Sequence, residues 1–338
     1  MGMTDGKEEY AQLVKALNTP YRLGRPVLEP TAEQGDFDSK MVDCPFVFFH
    51  DGHWWMTYVG FDGEGYRTGL AFSRNLIDWE RKGVILDWGN PGSFDAFSAA
   101  GTWILRENVL LAPPNLRRWN GLFWMAYCGF ARKGYEVGPG AVGLAYSKDL
   151  FHWERFEANP ILKSEDGAHW ENGGLFKPCI VQHIDNGENF YLYYNARDKS
   201  DRWIEQTGFA ASSDLRNWRR FRGNPVIRVG FKGSWDSRFV SDPFVARCRN
   251  TWVAFYYGFD GVHAQDGIAF SKDLRNWKKW SEPILKIGPP GSVDSQHAHK
   301  PCIVRHNGVL YHFYCAVRDR DGYRTISVAT SKPVTHER

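Results

Sequence analysis

Charged side chains recur at equivalent places along this chain, just before a series of prolines and just after a series of aromatic runs. Before Pro45, Pro114, Pro178, Pro243 and Pro301 stand Asp43-Cys44, Ala112-Pro113, Phe176-Lys177, Ser241-Asp242 and His299-Lys300. After the aromatic runs come Phe61-Asp62, Phe130-Ala131-Arg132, Arg197-Asp198, Phe259-Asp260 and Arg318-Asp319. Two carboxylates facing each other across a pocket suit glycoside hydrolysis, in which one protonates the leaving oxygen and the other activates water or attacks the anomeric carbon. Asp43 is the expected base or nucleophile and Asp242 the second carboxylate. Glu171 or His299 is the expected proton donor, because one group must stay protonated near neutrality. Lys177, Lys300, His297, Arg197, Arg318, Asp62, Asp260 and Trp170 are expected to orient the sugar or bind an anionic substituent. For Lys177 and Lys300 the alternative is structural, as ion pairs to neighbouring acids. No metal ligand set is expected.

The elements that position these residues are written as a repeat, which decides the fold before any single motif does. Ser73-Arg-Asn-Leu-Ile-Asp-Trp79 returns as Ser147-Lys-Asp-Leu-Phe-His-Trp153, Ser212-Ser-Asp-Leu-Arg-Asn-Trp218 and Ser271-Lys-Asp-Leu-Arg-Asn-Trp277, with a degenerate fifth copy from Ser331. A short strand precedes each copy, such as Thr68-Gly-Leu-Ala-Phe72. Upstream lies a second repeat: a proline, a strand, a turn, then an aromatic strand. The turns are Asp51-Gly52, Asn120-Gly121, Asn186-Gly187, Arg249-Asn250 and Asn307-Gly308. Asn-Gly and Asp-Gly between such runs mark hairpins, because a type I′ turn needs positive φ at both central positions. Each unit thus carries four antiparallel strands, and five units predict an all-β, five-bladed β-propeller with its active site in the central funnel. Two unrelated β-sandwiches would not explain five copies in one register. Residues 1–30 read as an N-terminal extension with one weak helix over 8–17, and 31–338 as the propeller domain.

Acids also recur seven positions before the prolines, at Asp38, Glu107, Glu171, Asp236 and Asp294. A group repeated in every unit is expected to serve structure, since catalysis needs asymmetry; Glu171 is kept as a candidate because its segment, Ala168-His-Trp-Glu-Asn-Gly-Gly, departs most from the others. The Ser-x-Asp-Leu-x-x-Trp turns are expected to be structural, their Ser and Asp bonding to nearby amides.

Composition removes several alternatives. Hydrophobic residues are 43% and aromatics 16% of the 338 residues, enough for a large core. Lys and Arg number 42 against 39 Asp and Glu, and no basic block is present, so nucleic acid is not an expected partner. No apolar run has the roughly 18 residues of a membrane span. The chain reads as soluble and cytoplasmic, or secreted if a leader has been removed. Its six cysteines form no C-x-x-C pair and read as buried thiols.

These features resemble the five-bladed glycosidases of glycoside hydrolase families 43, 32, 62 and 117, and family 130 of mannoside phosphorylases and hydrolases. The resemblance runs from about Asp36 to Lys332. It rests on the Ser-x-Asp-Leu-x-x-Trp turns, on Leu111-Ala-Pro-Pro-Asn-Leu followed by Asn120-Gly-Leu-Phe-Trp-Met-Ala-Tyr, on Met41-Val-Asp-Cys-Pro-Phe-Val47, and on Gly233-Ser-Trp-Asp-Ser237. In family 43 an aspartate directly precedes the first-blade proline, whereas here Cys44 intervenes; histidine in the fifth blade resembles family 117. The resemblance implies a hydrolase acting on an oligosaccharide without a required cofactor, an axial cation being structural if bound. Phosphorolysis, with phosphate replacing water and a single acid sufficing, is the second enzyme reading, and a non-catalytic carbohydrate-binding propeller the third. Oligomeric state is left open.

Overall fold

The computed structural model describes residues 4–185 and 187–334. Asn186, half of one expected hairpin turn, lies outside them. The described chain is all-β apart from a helix at Thr4–Leu17 and one short 3-10 turn.

The strands pair in five consecutive antiparallel units. The first comprises Met41–His50, His53–Phe61, Tyr66–Ser73 and Glu80–Leu86. The second comprises Ser98–Ile104, Phe123–Phe130, Ala141–Ser147 and Glu154–Arg155. The third runs through Gly174–Asp185, Glu188–Arg197, Glu205–Ser212 and Arg219–Arg220, and the fourth through Phe239–Cys248, Thr251–Phe259, Ala264–Ser271 and Lys278–Lys279. The fifth has His297–His306, Val309–Val317 and Arg324–Thr330, and its outer strand is Tyr21–Arg22 from the start of the chain. Residues that sequence alone assigns to an N-terminal extension therefore complete the last unit. Parallel bridges link the units into a nine-stranded and a twelve-stranded sheet.

Local chemistry accounts for the turns. Asp51-Gly52, Asn120-Gly121 and Asn307-Gly308 all have positive φ, as type I′ hairpins require. In the recurrent Ser-x-Asp-Leu-x-x-Trp turn, Ser147 Oγ accepts the amides of Asp149 and Leu150, and Asp149 Oδ1 those of Phe151 and His152. Leu76, Leu150, Leu215 and Leu274 are thereby held in the left-handed region. In three copies the tryptophan indole closes the turn on the leucine carbonyl.

A second device recurs once per unit, ahead of the first strand. A carboxylate there accepts a tyrosine hydroxyl from the second strand and pairs with a cation on the outer strand. The sets are Asp38 with Tyr58 and Arg81, Asp95 with Tyr127 and Arg155, Glu171 with Tyr194 and Arg220, Asp236 with Tyr256 and Lys279, and Asp294 with Tyr314 and Arg22. In four units an aromatic residue just before the acid lies against the tyrosine, ring centroids 5.7–5.9 Å apart: Phe37, Phe94, Trp170 and Trp235. Third-strand glycines make room, since a Cβ at Gly208 would come within 2.7 Å of the Trp170 ring.

Two sequence expectations are corrected here. Glu171, buried, and Trp170, half-buried, belong to this clamp between strands rather than to a sugar site. The second unit's clamp acid is Asp95, not Glu107, which makes a surface pair with Arg117 at 3.2 Å. The proline landmark misled there: the second unit's first strand, Ser98–Ile104, contains no proline, and Pro114 lies in an excursion that passes its carbonyl to the amide of Phe49.

Residues just inside the first strands, Phe46, Trp103, Cys179, Phe244 and Cys302, converge at the centre. Trp103 lies 4.9 Å from Phe46 and 5.3 Å from Phe244, centroid to centroid, and Cys302 Sγ accepts the Val47 amide. Arg106 is buried against this plug, its guanidinium over Phe244 and Trp103, and desolvation pulls its pKa down to about 10. All six cysteines are free and buried. The N-terminal helix packs outside, Leu13 and Leu17 buried and Tyr10 stacked on Phe270 at 4.5 Å. Among the described residues no helix is long and apolar enough to cross a membrane.

The clamp makes a contrast that denaturation can read. Asp95→Ala strands a part-buried arginine and removes a hydrogen bond, so it should lower unfolding free energy by about 3 kcal/mol, against less than about 1 kcal/mol for the exposed-pair variant Glu107→Ala. Equal losses in urea titrations would contradict this assignment.

Candidate active site

The first strands deliver their charged residues through a repeated irregularity. Register shifts fall between Asp43 and Phe46, Phe176 and Cys179, Ser241 and Phe244, and His299 and Cys302, each spanning the proline. Proline has no N–H to offer the ladder, so a bulge costs least there. The residue before it turns left-handed in three units: Cys44 at φ 47°, Asp242 at 54° and Lys300 at 66°. Adjacent side chains that a regular strand would send to opposite faces are thus both aimed at one mouth of the assembly. This is why Asp43 reaches the site although Cys44 separates it from Pro45.

Two cavities with lining residues in common occupy that mouth. The upper, about 200 Å³, is lined by Glu136, Asn195, Trp203, Glu205, Asp242, Tyr257, His297, His299, Lys300 and Arg324, with Tyr135 and several phenylalanines. The lower, about 30 Å³, adds Asp43, Cys44, Thr102, Cys128 and Lys177 and shares Glu136, Phe176, Asp242 and Lys300 with the first.

Four carboxyl groups meet here in different electrostatic settings. Asp43 is 1% exposed; its Oδ2 accepts Lys300 Nζ and Arg324 Nη1, each at 2.8 Å, and its Oδ1 accepts the Cys44 amide. Burial works to raise its pKa, but the two cations outweigh burial and hold the carboxyl well below the usual range. Asp242 lies 3.7 Å from Lys177 Nζ, and among the described residues neither that amine nor Asp242 Oδ2 meets a hydrogen-bond partner. Burial raises its pKa against the pull of Lys177 and Lys300. Glu205 is fixed by Trp203 Nε1 at 2.5 Å, Ser241 Oγ at 2.7 Å and Asn195 Nδ2 at 2.8 Å, and burial raises it as well. Glu136 stands apart: it sits half-buried on the 131–140 loop at φ 52°. Desolvation, with the nearby carboxyls of Glu205, Asp242 and Asp43, pushes it up to about 7 against Lys300.

Both histidines are neutral. Burial, with Arg324 close by, takes His297 down to about 4, and burial beside His297 takes His299 well below its ordinary value. His297 Nδ1 accepts the Ala264 amide, which puts its proton on Nε2. His299 Nδ1 faces the Cys315 carbonyl at 3.1 Å and must be the protonated nitrogen, so the ring has no second proton to give. That counts against His299 as proton donor.

Of the sequence candidates, Asp43, Asp242, Lys177, Lys300, His297 and His299 come together. The others are held elsewhere. Asp62 pairs with Arg67 at 2.6 Å and accepts the Glu64 and Gly65 amides. Asp260 accepts the Val262 and His263 amides, and Arg318 is bound to Asp321. Arg197 lies over the Trp203 ring at 3.8 Å, one layer behind the pocket. Sequence reading missed Glu136, Glu205 and Arg324. The last two head their third strands, where the fourth unit has Ala264 and the first has Tyr66, so the asymmetry was there to be read. Among the described residues, no group of three or more His, Cys, Asp or Glu side chains is arranged to hold a metal ion.

A propeller-type all-β chain whose carboxyl groups, differing in proton affinity, converge on one pocket falls in the glycoside hydrolase class of folds. Residues 107–322 match the glycosyl hydrolases family 32 N-terminal domain, and the chain belongs to that family. A solved structure of a BT0996 RGII complex is 31% identical, with a TM-score of 0.85 over 98% of this chain and 97% of that one. A 1,2-beta-oligomannan phosphorylase of Thermoanaerobacter sp. (strain X514) is 29% identical over 185 residues, 53% of this chain; the match spans 50% of that protein. The beta-1,2-mannobiose phosphorylase of Listeria innocua shares the fold, at 14% identity and a TM-score of 0.68 over 92% of this chain and 96% of that one.

The Asp43 cluster yields a pH prediction. A carboxyl held below its unfolded value contributes stability that is present above pH 4 or so and lost as the pH falls through its folded value. Asp43→Asn leaves Lys300 and Arg324 buried without their anion and should cost about 3 kcal/mol at pH 7. The gap to wild type should narrow on acidification. Urea unfolding of both proteins from pH 7 to pH 3 checks this, and a pH-independent gap would refute it.

Proposed function

We propose that the five units are the five blades of a propeller and that the chain is a glycosidase cleaving an oligosaccharide in the pocket at its mouth. The observation that carries this reading is Glu136, a part-exposed carboxyl pushed up to about 7 that shares a cavity with the anchored carboxyl of Glu205. Near neutrality the first still holds a proton to give, while three donors pull the second toward its anionic form against burial, and glycosidic cleavage uses one carboxyl of each kind. Glu136 protonates the departing oxygen; Glu205, oriented by Trp203, Ser241 and Asn195, attacks the anomeric carbon or activates water. Asp43 is too fully engaged by Lys300, Arg324 and the Cys44 amide to act as a base, and serves to fix both cations against the sugar. Asp242 and Lys177, which face each other at 3.7 Å and line the lower cavity, take sugar hydroxyls. The RGII complex of the structural relative agrees with an oligosaccharide ligand.

Phosphorolysis is the second reading, favoured by the oligomannan phosphorylase relative. Charge weighs against it. The cations of the two cavities, Lys177, Lys300 and Arg324, already face Asp43, Asp242, Glu205 and Glu136, and the histidines add no charge, so a phosphate dianion would enter a pocket with no cationic excess.

A p-nitrophenyl glycoside and oligosaccharide panel with and without inorganic phosphate separates these readings: hydrolysis gives free sugar irrespective of phosphate, phosphorolysis a sugar 1-phosphate only with it. Activity should fall above a pH of about 7, as Glu136 loses its proton. Glu136→Gln should lower kcat by about 10²–10⁴ on oligosaccharides, and far less on glycosides whose leaving group needs no proton. It should also remove the alkaline limb. Full activity on both substrate types would refute the assignment.

A further inference from the structure

The segment bearing Glu136 is tied down in an unusual way. It leaves the second unit after Phe123–Phe130, yet its anchors lie on the first and fifth units. Lys133 Nζ contacts both Glu64 oxygens at 2.9 Å, and the Gly134 amide donates to the Glu64 carbonyl at 2.7 Å. Next in sequence, the Tyr135 ring packs edge-on against Tyr66 and Phe61 of the first unit. Its hydroxyl, 2.9 Å away, accepts from Arg324 Nη1, the nitrogen that also donates to Asp43 Oδ2 at 2.8 Å. The two protons of one guanidinium nitrogen thus go to the buried anion below and to the loop above. Tyr135 is 41% exposed, so burial does not hold it; and Glu136, next to it, has a left-handed backbone that a free loop would abandon.

We propose that Tyr135 is a positioning residue for catalysis: clasped by Arg324, its hydroxyl holds the Glu136 carboxyl over the pocket and ties that placement to the Asp43 ion cluster. Arg324 cannot move toward the loop without loosening Asp43, so the proton donor and the charged floor of the pocket are set in register by one side chain. Desolvation is what raises Glu136, so releasing the loop to solvent would return its carboxyl toward the ordinary glutamate range.

This inference rests on the reading of Glu136 as proton donor, and Tyr135→Phe tests it while keeping the ring contacts. On the glycoside hydrolysed in the panel, the variant should lose about tenfold in kcat with KM within about twofold, and its alkaline limb should move to lower pH. A second measurement needs no substrate. In protein labelled at glutamate Cδ, the Glu136 carbon resonance, assigned by its loss in Glu136→Gln, should titrate about one pH unit lower in Tyr135→Phe than in wild type. A merely structural tyrosine would lower the melting temperature and leave both pH readouts in place, which would overturn the proposal. If Glu136→Gln is fully active, the proton-donor reading itself fails; if Glu136→Gln is impaired while Tyr135→Phe matches wild type in kcat, alkaline limb and titration, only the role of Tyr135 fails.

Discussion

The carboxylate clamp at the head of each unit is the constraint from which the rest follows. A single buried acid ties the segment before the first strand to a tyrosine of the second strand and to a cation on the outermost one. Strand pairing alone fixes spacing within a sheet but leaves the approach of the incoming chain free. By catching that approach, the clamp sets where each first strand begins, and therefore where its bulge falls. In four units a proline a few positions into the strand then converts that fixed starting point into a side chain aimed at the mouth.

Chemistry arises where the units stop being alike. The position before the proline is Cys44, Lys177, Asp242 or Lys300 according to unit, and the head of the third strand is Tyr66, Glu205, Ala264 or Arg324. The same backbone thus presents cations and carboxyls alternately around one cavity. Burial would neutralise most of them singly; together they keep one another charged, with Asp43 the most firmly ionised and Glu136, on the loop, the least. The range of proton affinity in one small space comes from unequal shares of the same few partners.

The strand repeat, the hairpins and the Ser-x-Asp-Leu-x-x-Trp turns were legible because each depends on local backbone chemistry that a few residues specify. Asp43, Asp242, Lys177, Lys300, His297 and His299 were legible for the same reason, as neighbours of a repeated proline. The clamp in the second unit was not, since no proline marks its first strand and the repeat had to be read from Asp95 instead. Glu171 and Trp170 looked irregular in sequence, yet spatially they repeat Asp38 with Phe37 and Asp236 with Trp235. Glu136 had no local signal at all: it lies deep in the connection between second and third strands, which is longer in its unit than in the others, and its environment is made by side chains far away in the chain.

The outer strand of the last unit comes from Tyr21–Arg22, and Arg22 supplies the cation for Asp294. Asp43, in the first unit, takes both its cations from the fifth, at Lys300 and Arg324. On a ribosome the early units can pair their own strands as they emerge, but the Tyr21–Arg22 strand must wait, unpaired, for a partner not yet made. The pocket is then the last part of the molecule to exist, and a chain stopped short of Arg324 would leave Asp43 with Lys300 alone and the Tyr21–Arg22 strand without its partner. Synthesis is in that sense proofread by the site itself, because only a chain carried past Arg324 can both pair its Tyr21–Arg22 strand and complete the two cations on Asp43.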